Sequence, residues 1–93
     1  GVYTRQIWKT QSKRKPEAPG GWYRLAEGQG LAGDIIGLHQ SRAEYFILVG
    51  ALDAAQSQLS YALKLVNNNF TQSATINERL RDVMDIREEL ENS

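Results

Sequence analysis

The sequence predicts an all-α fold, with antiparallel helical hairpins and a long C-terminal capping helix. Apolar and small side chains between positions 39 and 66 recur at steps of three and four, so they share one face on each of two consecutive helices. Gly50 interrupts this pattern where the chain needs a tight turn between the two helices. Alternation of apolar and polar residues, the pattern of a half-buried strand, occurs nowhere in the 93 residues.

Residues 1–19 are predicted to form a basic linker or the end of a preceding element, followed by a helical domain over residues 20–91. The linker has one acidic residue, Glu17, and five basic residues, which are Arg5, Lys9, Lys13, Arg14 and Lys15. Prolines and glycines close to these cations are typical of a loop. Trp8 among the cations also fits nucleic-acid binding, but a single aromatic residue is a weak signal, and we expect no nucleic-acid partner. The C-terminal end is acidic instead, so the two ends could face each other.

The first complete helix is predicted over Trp22 to Ala32, with an apolar face that contains Trp22, Leu25, Ala26 and, less regularly, Leu31. Gly28 and Gly30 lie inside this helix. Because glycine costs about 1 kcal/mol relative to alanine in a helix interior, the pair predicts the close approach of a neighbouring helix. Gly33 and Asp34 should end this helix and begin the next, since glycine suits the left-handed C′ position and aspartate suits an N-cap.

Two further helices are predicted over Ile35 to Val49 and Leu52 to Val66. The buried face of the first should contain Ala43, Phe46, Ile47 and Gly50. The buried face of the second should contain Leu52, Ala55, Leu59, Ala62, Leu63 and Val66. The small residues allow the two helices to approach closely, and the large ones fill the space between them.

A fourth helix should begin between Thr71 and Thr75 and end near Glu91. The segment Thr75-Ile76-Asn77-Glu78 has the form of a capping box. The apolar stripe of this helix should consist of Ile76, Leu80, Val83, Ile86 or Met84, and Leu90. Since its opposite face is charged, we expect it to cap the hairpins and to expose its polar side.

Residues of the common catalytic and metal sites are scarce in this sequence. There is no cysteine and a single histidine, His39, so neither thiol chemistry nor an H-E-x-x-H zinc site can be built from it. We interpret His39 as a packing or hydrogen-bonding residue on a helix surface. The segment from Gly28 to Gly33 matches the dinucleotide pattern G-x-G-x-x-G, but a predicted helix precedes it where such a site requires a strand. We therefore expect no catalytic site, cofactor or metal in this chain.

Some of these residues resemble a tetratricopeptide repeat (TPR). The spacing Trp22-x-x-Leu25-Ala26 resembles the opening of such a repeat, and Ala55 and Ala62 resemble its small packing positions. The sequence departs from the repeat in two respects. No proline closes the second helix, and the spacing gives overlapping hairpins instead of separate tandem units.

A longer resemblance covers residues 20–91. The residues that carry it are Leu25-Ala26-Glu27, Gly33-Asp34, His39-Gln40, Arg42-Ala43-Glu44-Tyr45, Gly50, Leu52, Ala55, Leu59, Ala62-Leu63-Lys64 and Arg79-Leu80. Together they resemble the C-terminal TPR region of bacterial M48-family zinc metalloproteases, envelope proteins similar to the β-barrel assembly-enhancing protease. The resemblance implies a periplasmic, non-catalytic module that follows the peptidase domain and presents outer-membrane or assembly-machinery clients to it. It implies zinc only in that peptidase domain.

A protein-binding surface is expected at exposed positions of the concave helices, namely Tyr23, Glu27, Arg42, Tyr45 and Tyr61. Tyrosine and arginine are over-represented in binding hot spots. The alternative is that Tyr45 and Tyr61 are half-buried residues of the hairpin. The partners that the resemblance implies are the peptidase domain and envelope or outer-membrane assembly proteins.

Two alternatives stay open. A free-standing helical adaptor or secretion chaperone would have the same hairpins without any peptidase.

Fewer than three complete repeats rarely stand alone, so an uncovered apolar face predicts either a homodimer or a cover made by Val2, Tyr3, Ile7 and Trp8. We expect no transmembrane segment, because the longest apolar run, Tyr45 to Leu52, is too short to span a bilayer.

Overall fold

The structure is a computed structural model that describes residues 18–92. These residues form four α-helices, which are α1 (Pro19–Leu31), α2 (Ile35–Leu48), α3 (Leu52–Leu65) and α4 (Phe70–Asn92), and they contain no strand. The predicted all-α fold of helical hairpins is therefore confirmed. None of the four helices in this described part is long and apolar enough to cross a membrane. The linker and cover predictions for residues 1–17 lie outside the described residues.

Each helix packs against the next one in the chain, and the main core lies where α2, α3 and α4 meet. Its buried members are Ala43, Leu52, Ala55, Leu59, Ala62, Ile76 and Val83. Partly buried side chains surround them, namely Ile36, Phe46, Ile47, Leu63, Val66, Leu80 and Ile86. The α1 helix packs against α2 and buries Trp22 and Ala26. The apolar face predicted for α3 is thus confirmed, and so are Ala43, Phe46 and Ile47 on α2. Gly50 was wrongly included in the buried face of α2, because it lies exposed in the turn that follows the helix.

The α1–α2 turn and the α2–α3 turn have the same geometry. Gly33 and Gly50 have φ angles of 81° and 83°, the left-handed region that glycine adopts without a Cβ clash. In each turn the N–H that follows the glycine donates to a carbonyl in the last turn of the preceding helix, at 2.8 Å. This is the Schellman ending of a helix. Asp34 then caps α2, because its side chain accepts a hydrogen bond from the N–H of Gly37 at 3.0 Å.

The α1 helix begins at Pro19, three residues before the predicted start at Trp22 and inside the predicted linker. Proline fits the first turn of a helix, since its φ is already helical and its missing N–H would find no helical acceptor there. At the other end Leu31 is 92% exposed, so the prediction that it shares the buried face was wrong. Leu31 follows the buried Ala26 by five positions, which turns it about 140° around the helix axis.

The α4 helix begins at Phe70, ahead of the capping box predicted at Thr75 to Glu78. Asn69 provides the cap, because its Oδ1 accepts a hydrogen bond from the N–H of Gln72 at 3.0 Å. Thr75 lies inside the helix, and its hydroxyl donates to the carbonyl of Thr71 at 3.0 Å. A hydroxyl bonded back to the preceding turn in this way serves no capping role. The capping-box prediction is therefore wrong.

The buried stripe of α4 is shorter than predicted and consists of Ile76, Leu80, Val83 and Ile86. Of the two alternatives for the fourth position, Ile86 packs on the core and Met84 is exposed. Leu90 is also mostly exposed, contrary to its predicted place in the stripe. The reason is length, since α4 has 23 residues and the α3 helix that covers it has 14.

Candidate functional site

Four of the five predicted binding residues meet on one face of the α1–α2 hairpin, which we call the aromatic surface: Tyr23, Glu27, Arg42 and Tyr45. Because α1 and α2 form a hairpin, the first turns of α1 lie beside the last turns of α2. The rings of Tyr23 and Tyr45 contact each other edge to face, with centroids 6.0 Å apart and an angle of 64° between the rings. The structure thus brings these residues together, as a shared surface requires.

A hollow of about 240 Å³ lies between the side chains of the aromatic surface. Its remaining walls are apolar and come from Ala26, Leu38 and Phe46. Ala26 is buried between the neighbouring turns of α1 and α2, and its short side chain leaves room that a larger residue would fill. The result is an apolar concavity with polar groups at its edge, which is the usual form of a recognition site.

Glu27 and Arg42 carry opposite charges at this hollow, yet neither forms an ion pair with any residue between positions 18 and 92. Both side chains are exposed, and Tyr23 is 59% exposed. Arg42 can present a planar fork of N–H donors to a partner, and Glu27 can accept hydrogen bonds. The aromatic surface therefore combines an apolar hollow with two exposed opposite charges that form no ion pair within residues 18–92.

Tyr61, the fifth predicted residue, does not join the aromatic surface. It stacks on His39 instead, with ring centroids 5.7 Å apart and an interplanar angle of 29°. The Nζ atom of Lys64 lies 5.9 Å from the centre of the same ring. His39 Nδ1 is 2.7 Å from Gln58 Oε1, so the prediction that His39 packs and hydrogen-bonds at a helix surface is confirmed.

A second concavity, of about 700 Å³, opens between α1 and α4 and reaches α2 and α3 at its base. Three carboxylates line it, from Glu44, Glu78 and Asp82, and one guanidinium, from Arg79. We call it the acidic groove. Its other lining residues are Trp22, Leu25, Gln29, Gln40, Ser41, Leu59 and Thr75. Most of its charge comes from α4, the acidic end of the chain.

The base of the acidic groove is buried and fully hydrogen-bonded. Ser41 is 1% exposed, and its hydroxyl donates to Gln29 Oε1 at 2.5 Å. No buried side-chain nitrogen or oxygen within the described part of the chain lacks a hydrogen-bond partner. The hydrogen bond between Ser41 and Gln29 joins α2 to α1 at the base of the groove. It holds the two helices in one arrangement, because an unpaired buried donor or acceptor would cost about 1–3 kcal/mol.

Arg79 crosses from α4 to α2 in this groove. Its Nε donates to Glu44 Oε2 at 2.7 Å and its Nη2 donates to Glu44 Oε1 at 2.8 Å, a bidentate pair. Its Nη1 also donates to Asp82 Oδ2 at 3.1 Å, from the next turn of α4. The hydrogen bonds to Glu44 raise the pKa of Arg79 above its ordinary value, which burial alone would lower. The guanidinium is therefore permanently charged and joins two helices.

The acidic groove was not predicted from the sequence. Glu44 and Arg79 are 35 residues apart, and no periodicity relates residues of different helices at that distance. The available signal was the acidic composition of the C-terminal end, which indicates a charged surface but no position for it. The aromatic surface was easier to predict, because consecutive antiparallel helices bring their exposed faces side by side.

No protein-family model matches the chain, and no curated protein or solved structure matches it either. The resemblance to M48-family metalloproteases therefore stays a prediction. Among residues 18–92 there is no group of three or more histidine, aspartate or glutamate side chains that could hold a metal ion.

Proposed function

We propose that this chain is a protein–protein interaction module that binds its partner through the aromatic surface. The observation that carries the proposal is the convergence of Tyr23, Glu27, Arg42 and Tyr45 around one apolar hollow. Tyrosine offers a large contact area at a small loss of conformational entropy, and arginine forms directional hydrogen bonds, so both types concentrate binding energy. Glu27 and Arg42, which form no ion pair with any described residue, add specificity for a complementary segment.

The hollow indicates the chemistry of the partner segment. An apolar side chain that entered it would cover Leu38 and Phe46, and burial of one such side chain contributes about 1.5–3 kcal/mol. Arg42 would bind a carboxylate on the same segment through two parallel hydrogen bonds, and Glu27 would accept from a basic or amide group. The proposed ligand is therefore a helical or extended protein segment with an apolar anchor next to an acidic residue.

We further propose that the module belongs to a larger bacterial envelope protein of the M48 metalloprotease type, in the periplasm. The support for this is the sequence resemblance over residues 20–91, with which the helical-hairpin fold is compatible. In that setting the peptidase domain holds the zinc, and this chain binds clients or regulates the peptidase. We expect an H-E-x-x-H motif in the reading frame before Gly1. A frame without that motif would assign the aromatic surface to a free-standing adaptor or chaperone.

Site-specific photocrosslinking in cells tests the interaction proposal. A benzophenone amino acid replaces Tyr45 in one version of the parent protein and Tyr61 in a matched version, since both positions hold tyrosine on exposed or half-buried helix faces. We expect a discrete protein adduct from position 45 and none of that mass from position 61. Adducts of the same mass and yield from both positions would contradict the proposal.

The crosslinked partner then allows affinities to be measured with purified proteins. We expect Tyr45→Ala and Arg42→Ala each to weaken binding about tenfold or more, which corresponds to about 1.4 kcal/mol for a hot-spot residue. Tyr61→Ala should leave the affinity within about twofold, because Tyr61 lies outside the aromatic surface. Equal affinities for the chain and the Tyr45→Ala variant would overturn the assignment of the site.

A further inference from the structure

We propose that the acidic groove is the docking site for the chain's own basic N-terminal segment, residues 1–17. These residues lie outside the described part of the structure, and α1 follows them directly. The acidic groove and the aromatic surface share no lining residue, so docking in the groove does not rest on the proposed function.

The charges of the groove and of the N-terminal segment are complementary. The groove has carboxylates at Glu44, Glu78 and Asp82 and a guanidinium at Arg79, which leaves an excess of two negative charges. Glu78 forms no ion pair with any other residue in the described range. The N-terminal segment has the opposite excess, with five basic residues against Glu17. Opposite excesses of this kind favour one orientation and disfavour like-charged occupants.

The N-terminal segment joins the described chain next to the groove. Trp22 and Leu25, in the first two turns of α1, are themselves lining residues of the groove. Lys15 precedes Pro19 by four residues, and an extended chain of that length spans at most about 14 Å. A segment tethered so close to its site has an effective concentration of about millimolar or more, so a weak attraction is enough to keep it bound.

The groove and the N-terminal segment both combine apolar with charged side chains. The base of the groove includes the apolar side chains of Trp22 and Leu59, and Leu25 is partly exposed at its edge. The segment combines its cations with Val2, Tyr3, Ile7 and Trp8. An occupant with apolar and basic side chains can cover such a base and neutralise its rim at the same time.

A spin label measures this docking directly. The chain has no cysteine, so Ser12→Cys creates a single attachment site for a nitroxide and leaves every charge in place. We expect the label to remove most of the amide signal intensity of Gln40, Thr75 and Glu78 in the nuclear magnetic resonance spectrum. The amides of Ala32 and Gly33, at the far end of α1, should keep theirs. Raising the ionic strength from about 0.01 M to about 1 M shortens the screening length from about 30 Å to about 3 Å and should restore the lost signals.

Charge reversal separates docking from mere proximity. In the labelled chain, Glu78→Lys should restore the groove signals, whereas Glu88→Lys, an exposed position on α4 outside the groove, should leave the loss unchanged. Full signal intensity in the groove, or a loss that Glu78→Lys does not change, would overturn the proposal.

A mixed sample shows whether the contact crosses between molecules. It contains isotope-labelled chains that carry no nitroxide and chains without isotope label that carry the nitroxide. Signal loss in the mixture would also overturn docking within one chain and would assign the groove to a second copy.

Discussion

Gly28 and Gly37 both lie inside α-helices at ordinary helical φ, but their surroundings are opposite. Among residues 18–92, no atom beyond its own helix lies within 4 Å of the Cβ that Gly28 lacks, so the close approach predicted for it is absent from this part of the chain. At Gly37 the missing Cβ would lie 2.6 Å from Gln29 Nε2 and 2.8 Å from Asp34 Cγ. Gly30, where Leu38 Cδ1 would be 3.4 Å away, is the one predicted close contact that the structure contains.

We predict that Gly28→Ala stabilises the fold by about 0.5–1 kcal/mol, because alanine loses less backbone entropy in a helix and meets nothing here. Gly37→Ala should instead destabilise it by about 1 kcal/mol or more, since the methyl group displaces Asp34 from its capping position and disturbs Gln29. Urea denaturation of the two variants measures both changes. A stabilising Gly37→Ala would show that the α2 cap does not depend on glycine at this position.

The ends of the helices show that local chemistry sets the element boundaries. Gly33 and Gly50 end α1 and α2 in the same way, with positive φ and the same backbone hydrogen bonds. The α4 helix starts where Asn69 offers a side-chain acceptor, although Thr75 with Glu78 matches the capping-box pattern better. A cap requires a non-helical backbone at the capping residue, and Thr75 is already helical.

Removal of the asparagine cap should therefore weaken α4. We expect Asn69→Ala to lower the free energy of unfolding by about 1 kcal/mol, because the N–H of Gln72 loses its acceptor. Thr75→Ala is the matched control and should cause no loss, since alanine has the higher helix propensity. Chemical denaturation checks both variants. A larger loss for Thr75→Ala than for Asn69→Ala would support the capping box instead.

At the scale of the whole molecule, two ion pairs connect α4 to the helices before it, and their environments differ. Arg79 and Glu44 form a bidentate pair in which Glu44 is 16% exposed. Arg87 Nη2 and Asp53 Oδ1 are 2.9 Å apart, but Asp53 is 87% exposed. Water screens an exposed pair almost completely, whereas a half-buried bidentate pair keeps part of its attraction.

Double-mutant cycles should separate the two pairs. We predict a coupling of about 1 kcal/mol between Glu44→Gln and Arg79→Met, and a coupling of at most about 0.5 kcal/mol between Asp53→Asn and Arg87→Met. Folding raises the pKa of Arg79 above the ordinary arginine value. The contribution of Arg79 to the free energy of unfolding is therefore fully present below the ordinary arginine pKa, and it is lost only as the pH rises through the higher pKa of the folded state. The Glu44–Arg79 coupling should therefore be the same at neutral and at alkaline pH. Equal coupling in the two cycles would contradict the role of burial.

Much of the fold was predictable from residues close together in the chain. The faces of α2 and α3 follow from the spacing of Ala43, Phe46, Leu59 and similar residues, because a helix has one period and one buried side. The aromatic surface followed in the same way, from exposed positions on adjacent antiparallel helices. Leu90 was misplaced because the pattern predicts which side of a helix is apolar but not how far the neighbouring helix extends. Leu31 was misplaced for another reason, since its position five residues after Ala26 puts it on a different side of α1.

The sequence by itself therefore determined the all-α class, the helices, their glycine turns and the apolar faces, since each depends on contacts within a few residues. Only the tertiary structure decided where α4 lies, that Arg79 reaches Glu44, that Tyr61 stacks on His39 apart from the aromatic surface, and that a groove opens between α1 and α4. These features depend on the angles and distances between packed helices. Such angles result from the fit of many side chains at once, which no local pattern specifies.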